Sequence, residues 1–219
     1  MLGQKNIIVI YVGSHQLEIF GHSTSTSSIL PLPTTIINNL EVADRDGLYS
    51  LIATWAKTIP FVTTEIIWLL SPGVCFEQTL TDAQKELWDT LTIQFLDSVP
   101  FEETLSRVYN PTGGRTIVAT NQDFINALIQ GFAVQGYLTR AVVTAKSLGV
   151  DSPLTVDSVK QITSNLSQIL RDNLITPDAS TTIEPKKDQT AKPKSSLPLL
   201  LGVFLTLLAI LVVVIYLSK

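Results

Sequence analysis

The chain has 219 residues and 24.0 kDa, 45% hydrophobic and 16% charged, which excludes wholesale disorder and allows one domain of about 150 residues with an appendage, or two small domains. Fifteen basic residues against 19 acidic ones leave a net charge of −4, the wrong sign for gripping phosphates, so no nucleic-acid partner is expected. The single cysteine, Cys75, excludes an intrachain disulfide, and beside it only His15 and His22 are histidines, so the usual tetrahedral metal sites fall away.

Residues 7–12, Ile-Ile-Val-Ile-Tyr-Val, are strongly apolar and β-branched, and beyond Gly13-Ser14-His15 the run Gln16-Leu17-Glu18-Ile19-Phe20 alternates polar with apolar. This predicts a β-hairpin whose first strand is buried on both faces and whose second is half-buried. Ser/Thr-rich residues 23–28 with Pro31 and Pro33 predict a loop, followed by a strand over 34–37. Leu48, Leu51, Ile52, Trp55 and Ala56 have helical spacing, closed by Pro60. A strand over 65–70 stops at Ser71-Pro72-Gly73, and residues 74–80 resume in extended form. Thr81 with Gln84 three residues on makes a capping box for a helix with Leu87, Trp88, Leu91 and Phe95 inward, ending at Val99-Pro100. The following segment reads as irregular, and Gly113-Gly114-Arg115 as a loop before a buried strand, Thr116-Ile117-Val118-Ala119. Asn121 caps a helix over 123–134 that closes near Gly136, and a last strand covers 138–144. Val156, Val159, Ile162, Leu166, Ile169 and Leu170 then recur at helical spacing. They predict an amphipathic helix over 155–172, whose apolar face either packs on the domain or pairs with a partner helix. The succession is α/β with a mixed sheet.

Residues 176–196 are rich in Pro, Thr, Ser, Asp and Lys without apolar periodicity, which predicts a flexible stem. The segment 197–217, opened by Leu197 and closed by Leu217, carries no charge, and 18 of its 21 residues are hydrophobic. At 1.5 Å per residue it is about 32 Å long, enough to cross a membrane as a helix. Nearly all of the chain's positive mean hydropathy resides there. Lys186, Lys187, Lys192 and Lys194 precede the span and only Lys219 follows it. The positive-inside rule therefore predicts a cytoplasmic N-terminal portion and an outside C-terminus. Residues 1–177 hold 10 basic and 16 acidic groups, and residues 178–219 hold 5 and 3, so an acidic domain sits on a basic stem. The apolar run at 7–12 is too short for a signal peptide, and no export of the domain is expected.

Ser14 and His15 are neighbours, and side chains adjacent on a strand point to opposite faces, so they do not form a nucleophile and base. Glu102-Glu103 reads as a solvated pair rather than an acid and a base. Cys75, between Val74 and Phe76, reads as a buried small hydrophobe, and Trp55, Trp68 and Trp88 as core. No phosphate-binding P-loop, nucleophile elbow or His-Glu-x-x-His helix is present.

Four stretches carry a family resemblance: the hairpin of residues 7–20 with its Val-Gly-Ser turn; Leu69-Leu70-Ser71-Pro72-Gly73-Val74-Cys75-Phe76; residues 93–101 ending Val-Pro-Phe; and residues 116–119 with the helix from Asp123 and the return through Gly136-Tyr137-Leu138. Over residues 5–149 the chain resembles PilM of type IV pilus assembly and the cytoplasmic domain of GspL of type II secretion. The resemblance implies half of an actin-like (ribonuclease H-like) fold with a mixed sheet, truncated and joined to one C-terminal transmembrane helix. Its organisation would be a partial actin-like domain over 1–150, an amphipathic helix within 151–175, the stem at 176–196 and the anchor at 197–217. Nucleotide-binding relatives carry an Asp-Ile-Gly-Ser-like turn whose carboxylate works with magnesium. Here that position is Tyr11, so Tyr11, Gly13 and Ser14 read as a degenerate phosphate turn, with no cofactor expected.

The function these features predict is a non-catalytic, membrane-anchored scaffold of a pilus or secretion platform at the bacterial inner membrane. Its partners would be platform proteins and the lipid bilayer, with either homo- or hetero-oligomers allowed. By resemblance, a groove on the domain would take a short cytoplasmic peptide of a partner. Two rivals stand beside it: an actin-like ATPase subunit completed by a second chain, and a tail-anchored adaptor acting through the helix over 155–172.

Overall fold

A computed structural model describes residues 6–21, 27–58 and 64–175, all within one compact unit. Among these residues no helix is long and apolar enough to cross a membrane. The anchor expected between Leu197 and Leu217, the stem with Lys186, Lys187, Lys192 and Lys194, and His22 all lie outside the described residues.

The apolar run at the start becomes β1 (Asn6–Val12), the middle strand of a five-stranded sheet ordered β3-β2-β1-β6-β10. It pairs antiparallel with β2 (Gln16–Gly21) and parallel with β6 (Thr64–Leu70). Beyond these, β3 (Ser27–Pro31) adds antiparallel to β2, and β10 (Leu138–Thr144) adds parallel to β6. Strands covered on both faces need apolar residues at every position. Accordingly Ile8, Ile10 and Val12 face one layer while Val9 faces the other. A meander followed by parallel strands, with helices on both faces, is a mixed α/β arrangement consistent with the actin-like expectation.

One face is covered by α1 (Arg45–Ala56) and α3 (Gln122–Val134) through Leu48, Ile52, Phe124, Leu128 and Phe132. Each helix starts where a short polar side chain satisfies free amides: Asp44 accepts from Gly47 N at 2.9 Å and Asn121 from Phe124 N at 3.2 Å. α3 stops at Gly136, whose φ of +88° an L-residue resists. The two-residue strands β4 (Ile37–Asn38) and β5 (Glu41–Val42) form a small hairpin, and Asn121 Nδ2 donates to Leu40 O in its turn at 2.9 Å.

Between β6 and α3 the chain inserts a second sheet, ordered β7-β9-β8 and wholly antiparallel: β7 (Phe76–Thr81), β8 (Thr104–Tyr109) and β9 (Gly114–Asn121). Its partner helix α2 (Trp88–Ser98) places Trp88, Leu91 and Phe95 over Leu80, Val108 and Ile117.

Several expectations are corrected. The strand placed at 34–37 lies earlier, at β3, because Pro33 begins a turn in which Ile36 N and Ile37 N donate back to Pro33 O. The segment read as irregular contains β8. Gly114 and Arg115, read as loop, begin β9, and a Cβ on Gly114 would lie 2.4 Å from Leu80 O, so the neighbouring strand admits only glycine. The capping box at Thr81 opens a 3-10 turn over Asp82–Leu87 before α2, leaving Leu87 56% exposed rather than inward. β2 is buried on both faces, including Glu18 at 3% exposure. Finally, the one helix expected over 155–172 is two, α4 (Val156–Ser164) and α5 (Leu166–Arg171), broken at Asn165. Their Val159, Ile162 and Ile169 cover the second face of the main sheet against Val9, Ile67, Leu69, Ala141 and Val143.

Candidate functional site: the cavity between the two sheets

The sequence directs attention first to the turn after β1. Gly13 N donates to Gln16 O at 2.9 Å, which closes a tight hairpin turn, and Leu32 N, just after β3, donates to the carbonyl of exposed His15 at 2.7 Å. Tyr11 lies on the α4 face of the sheet. Its phenol pKa is raised by burial and then by the charges of Asp151 and Glu18, with a backbone hydrogen bond from Ser152 opposing them. The position that would hold a magnesium-handling carboxylate is thus a phenol with residues 151 and 152 beside it. Among the described residues, no three His, Cys, Asp or Glu side chains gather as a metal site.

A cavity of about 550 Å3 lies elsewhere, where the inserted sheet meets the end of β10. Its floor is the face of the small sheet turned away from α2: Glu77 on β7, Arg107 and Tyr109 on β8, Thr116 and Val118 on β9. Alternation along each strand sends these odd or even positions to one side while Leu80, Val108 and Ile117 go to the other. The opposite wall is Thr144 at the end of β10, Lys146 and Ser147 just beyond it, and Asp172 after α5. Lys146 Nζ reaches Glu77 Oε1 at 2.8 Å and ties the sheets together. Tyr109 Oη donates to Asp172 O at 3.0 Å, and burial is the main cause holding its pKa well above the ordinary phenol value, so it stays a neutral donor. The Arg107 guanidinium donates to the carbonyls of Arg171 and Asn173. The cavity is therefore floored by donors already engaged with main-chain carbonyls, with Thr116 and Val118 as neutral surface beside them.

The remaining sequence candidates lie apart from it. Glu102 and Glu103 are exposed on the rim of a second hollow of about 440 Å3 with Glu41 and Asp123. Trp55 and Trp68 are core, their ring centroids 5.6 and 5.2 Å from that of Phe132, whereas Trp88 is only partly buried and carries the Arg115 guanidinium 4.9 Å above its ring. Cys75 packs against the main core. Burial, with the charge of Glu77 adding to it, pushes its thiol up to about 12. Iodoacetamide at pH 8 should therefore leave native Cys75 unmodified and label it once urea unfolds the chain, read by mass spectrometry. The unfolded thiol ionises near 8.5, so the folded state keeps its proton longer, and stability should fall as pH rises from about 8.5 toward 12.

Arg107 and Tyr109 escaped the sequence reading because β8 did. The available signal was Val108-Tyr109 followed by Asn110-Pro111-Thr112-Gly113-Gly114, a β-prone pair leading into a hairpin connection.

No protein-family model matches the chain, and no curated protein matches it. Among solved structures it is similar to a chain of the PilM-PilN type IV pilus biogenesis complex, with 13% identity, TM-score 0.49, and 65% of this chain aligned to 48% of that one. It is also similar to the cytoplasmic domain of EpsL, an inner membrane component of the type II secretion system of Vibrio cholerae, with 11% identity, TM-score 0.42, and 68% of this chain aligned to 60% of that one. The chain spans less than two thirds of either, and both likenesses concern the fold.

Proposed function

We propose that this chain is a non-catalytic scaffold of a type IV pilus or type II secretion-like assembly platform, anchored in the inner membrane by residues 197–217 with its folded domain in the cytoplasm. In this reading the cavity between the two sheets receives a segment of a partner, a protein of the same membrane platform. The observation that carries it is the condition of the polar groups there: Glu77 is held by Lys146, and Arg107 and Tyr109 are held by main-chain carbonyls. Donors already engaged with carbonyls suit the exchange of one polypeptide for another better than the activation of a nucleophile, which needs a base aimed at it. The phenol at Tyr11, beside residues 151 and 152, supports the same reading against a magnesium nucleotide. Anchoring would confine scaffold and partner to one membrane, so modest contacts suffice.

The rival ATPase subunit is tested directly. Full-length chain in lipid nanodiscs, titrated calorimetrically with magnesium ATP, should give no binding heat; micromolar affinity would overturn the scaffold reading. In cells, a photocrosslinker replacing Thr116 in the cavity should capture inner-membrane pilus or secretion proteins, and one replacing the exposed Leu87 should not. Capture at Leu87 alone would move the partner site away from the cavity. The adaptor reading needs an open apolar face on residues 155–172, and Val159, Ile162 and Ile169 already lie against the sheet.

A further inference from the structure

Two side chains that floor the cavity also hold the segment that follows α5. Arg107 donates to Arg171 O and Asn173 O, and Tyr109 to Asp172 O between them. These are three consecutive carbonyls at the end of α5, where a helix has no partners of its own to offer. From the other side the same segment is fastened to the edge of the main sheet. Leu174 N donates to Val142 O at 2.8 Å, while Asn173 Oδ1 accepts from Val142 N at 2.8 Å and from Ile175 N at 3.2 Å. Residues 171–175 are therefore a strap joining the small sheet to β10, and Asp172 on it is itself part of the cavity wall. In the β8–β9 register, Tyr109 stands directly opposite Thr116 and Arg107 opposite Val118, so an occupant resting on Thr116 and Val118 meets both donors.

We infer that Arg107 and Tyr109 form a latch that couples occupancy of the cavity to the hold on residues 171–175. A partner segment seated on the β8–β9 face offers its own main-chain carbonyls to the guanidinium and the phenol. It thereby replaces like with like and frees the strap. The exchange trades carbonyl acceptors for others of the same kind, so these donors need not be left without hydrogen bonds. Linkage makes it reciprocal: whatever pulls the strap away leaves the donors ready for the partner. The inference rests on the scaffold reading for the nature of the occupant.

Amide hydrogen exchange on the full-length chain in nanodiscs tests it without the partner. In the double variant Arg107→Ala/Tyr109→Phe, the amides of Leu174 and Val142 should exchange at least tenfold faster, while those of Val9 and Ile10 in β1 keep their protection. Unchanged Leu174 and Val142 would overturn the latch, and so would an equal rise in β1, which signals general loosening. Arg107→Lys, which keeps the charge but loses the two-pronged reach, should give a smaller rise at the same two amides. For the coupling itself, Thr116→Trp and Val118→Trp each place an indole on the cavity floor. Faster exchange at Leu174 in either is expected; full protection in both would overturn the coupling. The crosslinking from position 116 reports on the scaffold reading separately, so a failed latch and a failed scaffold give different results.

Discussion

Phe132→Ala is expected to lower the unfolding free energy by about 3–5 kcal/mol, the usual cost of removing a buried phenylalanine ring from a close-packed core. Phe132 is 1% exposed on α3 and is the hub of the aromatic cluster: its centroid lies 5.6 Å from Trp55 of α1, 5.2 Å from Trp68 of β6 and 5.8 Å from Tyr137 before β10, each ring tilted or edge-on. One side chain thus joins both helices of that layer to the sheet. Trp68 Nε1 donates to Thr139 Oγ1 at 3.1 Å and Trp55 Nε1 to Ser28 Oγ at 3.0 Å, so the neighbouring indoles are tied by their polar edges and cannot readily move into the void. The cavity would stay open, which places the loss toward the upper end. Since total stabilities are about 5–15 kcal/mol, this variant should approach unfolding at ambient temperature. Urea unfolding followed by tryptophan fluorescence measures it. Phe132→Leu keeps much of the volume and should recover more than half of the loss; equal losses would show that the ring contacts, at about 0.5–1.5 kcal/mol per pair, and not the filled volume carry the stability here.

Glu18→Ala is expected to cost about 2–4 kcal/mol, though the residue occupies a polar position in an alternating strand. The carboxyl is buried under the segment that returns from β10 to α4, accepting from Leu154 N at 2.9 Å and Ser152 Oγ at 3.0 Å. Truncation leaves a buried amide without its acceptor, and an unmade buried hydrogen bond costs more than a made one contributes. It also releases the point where the α4 layer is pinned to β2. Glu18→Gln keeps an oxygen for Leu154 N and a group that Ser152 can turn to meet, so its cost should stay below about 1.5 kcal/mol. The two variants, compared by urea midpoint and by exchange of the Leu154 amide, separate loss of the acceptor from loss of the charge. If Glu18→Ala left the Leu154 amide protected, the pinning role would be wrong.

Local features were readable where their cause is local. β1 and β6 announce themselves because both faces are covered, which forces unbroken apolar runs, and Asn121 and Thr81 mark chain turns that depend on residues three positions away. The hairpin, α1, α3, β10 and the α/β class follow from such signals. β8 was hidden because it lies at the edge of a small sheet with a cavity on one side. Arg107 and Tyr109 there need no apolar partner, so the alternation that reveals a strand is blurred. Glu18 looked solvent-facing for the same reason in reverse: its partners, Ser152 and Leu154, lie more than 130 residues away.

The amphipathic stretch 155–172 shows the division most plainly. Hydrophobic spacing alone established that Val159, Ile162 and Ile169 must be covered, since an apolar stripe in water is costly. Which surface covers them was open between the domain and a partner helix, because spacing carries no information about the acceptor. Chain return across the second face of the main sheet resolves it in favour of the domain and brings residues 171–175 against Arg107 and Tyr109. The cavity exists only through that return: its walls come from β7, β8, β9, the end of β10 and the end of α5, segments that no local pattern relates to one another.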